Sequence, residues 1–104
     1  MAQFSVHKNR NPQSRNTYPY LVDIQTNLLD GLQTRVVVPL AKLSPSRKVL
    51  QGVTPVVEIG VDKYLLMAPQ LAGIAARDLG PAIDSLANQR DVITAALDFL
   101  FFGI

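Results

Sequence analysis

Cysteine is absent from this 104-residue chain, which excludes disulfide scaffolds and thiolate metal sites and permits a reducing compartment. Histidine occurs once, at His7. Any metal would fall to carboxylates, and these are dispersed, so neither a metal nor a cofactor is expected. A Ser-His-Asp arrangement would have to use His7, at the edge of a polar loop, where a solvated strand-end residue is the commoner outcome. The six glycines stand apart, so no phosphate-cradling loop is present. No apolar run approaches the ~20 residues that cross a bilayer. Residues 1–6 lack the apolar core of a signal peptide. No membrane contact and a cytoplasmic location are therefore expected. Charge is scarce too: 17% of residues are charged and the formal net charge is +2. The basic residues are scattered rather than aligned, so direct nucleic-acid binding is not expected. These absences leave no positive case for an enzyme.

What the chain has is apolar. A hydrophobic fraction of 48% excludes disorder and leaves apolar surface for a partner or a second copy. The length fits one domain, residues 1–104. The first two-thirds read as strands. Residues 3–7 alternate, with Phe4 and Val6 on one face. Residues 9–16 are polar, contain Pro12 and read as a loop. Residues 18–25 alternate again, with Tyr18, Tyr20, Val22 and Ile24 sharing a face. The β-branched run from Arg35 to Val38 is expected to stop at Pro39, which cannot donate to a ladder. Residues 56–59 and 63–67 flank Gly60-Val61-Asp62 as a hairpin, and residues 68–80 show no regular element. From Ser85 the period turns helical, with Leu86, Ile93, Leu97 and Leu100 on one stripe. Asp84 or Ser85 is a candidate cap and Gly103 a stop. The spacing predicts a helix over residues 85–101. The fold class is mainly β: a small barrel or curled sheet carrying one helix.

Two apolar features stand out. The last seven positions hold Phe99, Leu100, Phe101, Phe102, Gly103 and Ile104 after Asp98. One helix cannot bury them all on one face, so Phe101, Phe102 and Ile104 are candidates for a partner surface; a helix tucked into a dimer interface is the plainer reading. Leu28 and Leu29 follow a strand and precede Asp30-Gly31. They either close one end of the barrel or stand exposed, and exposed they could share a patch with the terminal aromatics. Asp23 and Arg35 can meet across strands, most simply as a structural ion pair. Lys8, Arg10 and Arg15 form a loose basic group with His7, and Lys42, Arg47 and Lys48 lie in a later connection. Both groups suit an acidic protein partner.

Four blocks carry a resemblance: Tyr20-Leu21-Val22-Asp23-Ile24-Gln25-Thr26, Arg35-Val36-Val37-Val38-Pro39-Leu40, Pro55-Val56-Val57-Glu58-Ile59-Gly60, and the closing Phe101-Phe102-Gly103-Ile104. In this order and at these spacings the chain resembles the CcdB toxins of toxin–antitoxin modules, over nearly its whole length. The resemblance implies an SH3-like barrel with a C-terminal helix, a two-fold homodimer, and non-catalytic poisoning of DNA gyrase through its A subunit. It implies target contacts at Phe102, Gly103 and Ile104, with Phe101, Asp98, Leu28 and Leu29 nearby. It also implies an acidic, partly disordered antitoxin engaging the loop of Lys8, Arg10 and Arg15 and the connection of Lys42 and Arg47. Two departures bear on the target: Phe102 stands where the best-studied pattern has Trp, and Asp98 where it has Asn. A longer loop after Lys8 bears on antitoxin choice. Toxins on the same barrel that cleave mRNA are the alternative function, as is a copy that binds antitoxin without poisoning gyrase.

Overall fold

The computed structural model describes residues 2–45 and 52–104. Its elements are β1 (Ser5–Lys8), β2 (Tyr20–Asp23), β3 (Thr34–Lys42), β4 (Val56–Ile59), β5 (Asp62–Leu66), β6 (Ala72–Ala75), β7 (Ala82–Ser85) and α1 (Arg90–Phe102). The strands pair antiparallel along the path β4-β5-β3-β2-β1-β7, with β6 also on β3. The nine-residue β3 makes this possible. One of its edges takes β2, while the other takes β6 at Thr34–Val37 and β5 at Leu40–Lys42. The sheet curls into an SH3-like half-barrel and α1 packs on it, the mainly β class that the sequence predicts. Among the described residues no helix is long and apolar enough to cross a membrane.

The core follows the alternation. Val6, Val22, Val38, Leu40, Val57 and Leu66 are fully buried from the sheet, and Leu86, Ile93 and Ala96 meet them from the helical side. Burying a Val- or Leu-sized side chain contributes about 1.5–3 kcal/mol. Tyr20 and Ile24 pack against this cluster, and the Tyr20 and Tyr64 rings meet edge to face at 5.4 Å.

Three expectations fail for physical reasons. β3 does not stop at Pro39 but runs on to Lys42. The Pro39 carbonyl accepts from Met67 N at 3.0 Å, so the polar edge of Pro39 faces away from β2. Its nitrogen lies on that same edge, so the ladder with β2 loses no donor. The helix begins at Arg90, not Ser85. Residues 82–85 are instead a strand against β1, with Ser5 opposite Ser85, and Leu86 N donates to Phe4 O at 2.8 Å. Neither Asp84 nor Ser85 caps the helix, which follows Gln89; Ser85 Oγ instead accepts from Ala87 N at 3.1 Å, just ahead of a 3₁₀ turn, Ala87–Gln89. Residues 68–80 are regular after all, because β3 recruits Ala72–Ala75 as a strand between two 3₁₀ turns. Gly103 ends α1 as expected: its φ is +73° and its N–H returns to Phe99 O at 3.0 Å.

Gln89 docks the start of the helix. Its side-chain oxygen accepts from Glu58 N at 2.9 Å and its amide donates to Glu58 O at 2.8 Å.

Candidate functional site

The connection from β2 to β3 is built to show its leucines. Thr26 caps a 3₁₀ turn, Asn27–Leu29, accepting from Leu28 N at 3.3 Å. Gln3 N donates to Asn27 Oδ1 at 2.8 Å and ties the turn to the N-terminal segment. Leu28 is left 92% exposed and Leu29 47%. They do not close the barrel. Leu32, half exposed in the same connection, was not singled out from sequence; a third leucine within five residues of Leu28 was the available signal.

Beneath the turn lies a polar network. Arg35 Nε and Nη2 both reach Asp23 Oδ2 at 2.8 Å, with both side chains buried. The cross-strand ion pair is present. Gln25 N donates to the other Asp23 oxygen at 3.0 Å.

The helix end provides the second apolar feature. Ile93 and Ala96 anchor α1 in the core, and the Phe99 ring lies over Gly52, where a Cβ would come within 3.3 Å of it. Beyond that anchor Phe101, Phe102 and Ile104 are exposed, Phe102 by 73% and Ile104 by 85%. Asp98 and Gly103 are exposed beside them. The Phe101 and Phe102 rings stand 6.3 Å apart, tilted by 56°. The leucine turn and the tail thus hang from different anchors, Arg35 and Gln3 for one, the core and Gly52 for the other.

Of the basic candidates, Lys8, Arg10 and Arg15 converge on a pocket of about 480 Å³ beside Gly80 and Ile83. The Arg10 guanidinium fills the space that a Cβ on Gly80 would need. Arg10 also borders a larger groove of about 600 Å³, floored by Leu21, Val37, Pro39 and Ile74, with Arg77 on its rim. Lys42 is exposed at the end of β3. Arg47 and Lys48 lie outside the described residues.

His7 corrects the sequence reading, for it is not solvated but fully buried. Nδ1 stands 2.8 Å from Gly80 O and Nε2 2.8 Å from Ser5 Oγ. The carbonyl can only accept, so Nδ1 donates to it, and the serine hydroxyl, which can donate or accept, partners Nε2. A burial this complete gives substrate no approach to the pair. Among the described residues no cluster of three metal-ligating side chains occurs.

A curled antiparallel sheet with one C-terminal helix is the arrangement that the four sequence blocks anticipate. A protein-family profile described as CcdB protein matches residues 3–103, nearly the whole chain. The chain therefore belongs to the CcdB family, the toxins of toxin–antitoxin modules.

Proposed function

We propose that this chain is a cytoplasmic, homodimeric gyrase poison, folded as one domain, that acts by binding rather than catalysis. The observation that carries the reading is the pairing of two exposed apolar features, Leu28-Leu29 and Phe102-Gly103-Ile104, neither of which serves the core. Phe102 is the stacking side chain, facing a cation of the gyrase A subunit. Gly103 admits close backbone approach, and Ile104 adds apolar burial, with Phe101 and Asp98 at the margin. A dyad would present two tails side by side to a target that is itself two-fold. The antitoxin is an acidic, partly disordered segment, and Lys8, Arg10, Arg15, Lys42 and Arg47 receive it.

The test is purified protein with gyrase, supercoiled plasmid and ATP, denatured and scored for linear DNA. Linear product that rises with toxin supports the reading. Its absence, with intact binding to an antitoxin, would show a toxin that has lost its target. Cleavage in a parallel RNA control would replace the reading with an endoribonuclease.

A further inference from the structure

Replacing a buried ion pair with apolar residues is often neutral for stability, so the Asp23–Arg35 pair calls for another account. What an apolar pair would lack is the fork. Besides its two contacts with Asp23, Arg35 Nη1 reaches Asp30 Oδ1 at 3.3 Å and Nη2 lies 3.5 Å from Gln25 O. One guanidinium therefore joins β2, β3 and the far end of the connection between them. Gln25 adds a second tie: its Oε1 accepts from Val36 N at 3.1 Å and its Nε2 donates to Leu29 O at 3.2 Å. These ties end on residues flanking Leu28, whose own side chain stands in solvent.

We propose that Arg35 is a positioning residue for target binding: with Gln25 it holds residues 26–30 in the conformation that projects Leu28 and Leu29 as a preformed anchor. The proposal rests on the target reading above. A planar fork with five donors is required, since a lysine can satisfy Asp23 but cannot reach Asp30 and the Gln25 carbonyl at the same time. A preformed anchor loses less freedom on binding than a loose one.

The test is Arg35→Lys in the full chain, beside wild type, with three readings taken well below the melting transition. These are amide hydrogen exchange at Leu28, Leu29 and Asp30, binding to the gyrase A subunit, and rescue by Gly31→Ala. A Cβ on Gly31 meets no atom within 4 Å, so alanine fits there and narrows the freedom of the turn. Exchange at the three amides should quicken about 10-fold and gyrase binding weaken about 10-fold. Adding Gly31→Ala should restore part of both. If Arg35 matters only to the fold, the variant will melt earlier while exchange at those amides and gyrase binding stay at wild-type values, and the proposal is overturned. Weaker binding without faster exchange overturns it as well. If wild type itself does not bind gyrase, the proposed function fails, and unchanged exchange would separately remove the clamp. Should Arg35→Lys not fold, Asp30→Ala leaves the buried pair in place and must move exchange and binding in the same directions.

Discussion

Phe102 is the residue on which the proposed activity turns most sharply. Its ring stands mostly in solvent, so substitution there touches a partner before it touches the fold. Phe102→Trp adds ring area and a donor, and should keep or strengthen poisoning. Phe102→Ala removes a stacking contact worth roughly 0.5–2 kcal/mol, and should weaken poisoning about 2- to 30-fold with the dimer intact. A linear-DNA titration of both variants decides; equal activity would remove the stacking role. Tyr64 makes a different prediction. Burial foremost, with Tyr20 and Asp62 nearby, pushes its phenol above the ordinary value of about 10. The folded state holds that proton more tightly than the unfolded chain. The stability it contributes is complete below about pH 10 and falls as pH rises through the folded value, because the unfolded chain releases the proton first. Tyr64→Phe should flatten the alkaline limb of a melting-temperature profile, and an unchanged limb would assign that loss elsewhere. At this scale the sequence is informative about composition and blind to company. The exposure of Phe102 follows from too many apolar residues on one short helix. The burial of His7 does not follow, since it depends on Gly80 arriving from 73 positions away.

The tail is an element that the fold can spare. Deleting Gly103 and Ile104 removes one helix-ending hydrogen bond and no core side chain. Stability should change by no more than about 0.5 kcal/mol, as for surface substitutions in general, while poisoning is lost. Calorimetry and the DNA assay together check this, and a tail whose deletion unfolds the protein would belong to the core. Among elements, legibility tracked local pattern. The alternation at Tyr20, Val22 and Ile24, the Gly60 turn and the Gly103 stop are local signals, and each is where it was read. β6 and β7 carry little pattern of their own, Ala-Gly-Ile-Ala and Ala-Ile-Asp-Ser. They are strands because β3 and β1 offer unpaired edges. The helical stripe extends too far toward the N-terminus because Leu86, buried between β7 and the 3₁₀ turn, happens to fall in phase with Ile93.

For the molecule as a whole, two surfaces should be separable. Arg10→Ala with Arg15→Ala strips charge from the basic pocket while leaving Leu28 and the tail untouched. Antitoxin association should slow and lose salt dependence, because steering acts over a Debye length of about 8 Å at physiological salt. Gyrase poisoning should be unaffected. Paired titrations against the two partners test it; equal losses for both would mean that one surface serves both partners. Light scattering at micromolar concentration should give the mass of a dimer, and a monomer there would count against the two-tailed arrangement.

Gln89 has a consequence for handling and shelf life. A strand paired on one edge only invites strand addition by another molecule, and among the described residues β4, which carries Glu58, pairs only with β5. The Gln89 carboxamide makes both backbone hydrogen bonds that an incoming strand would make at Glu58. It serves as a strand one residue long. Whatever loosens the start of the helix therefore also unlocks the β4 margin, so fraying and fibril nucleation should rise together in stored protein.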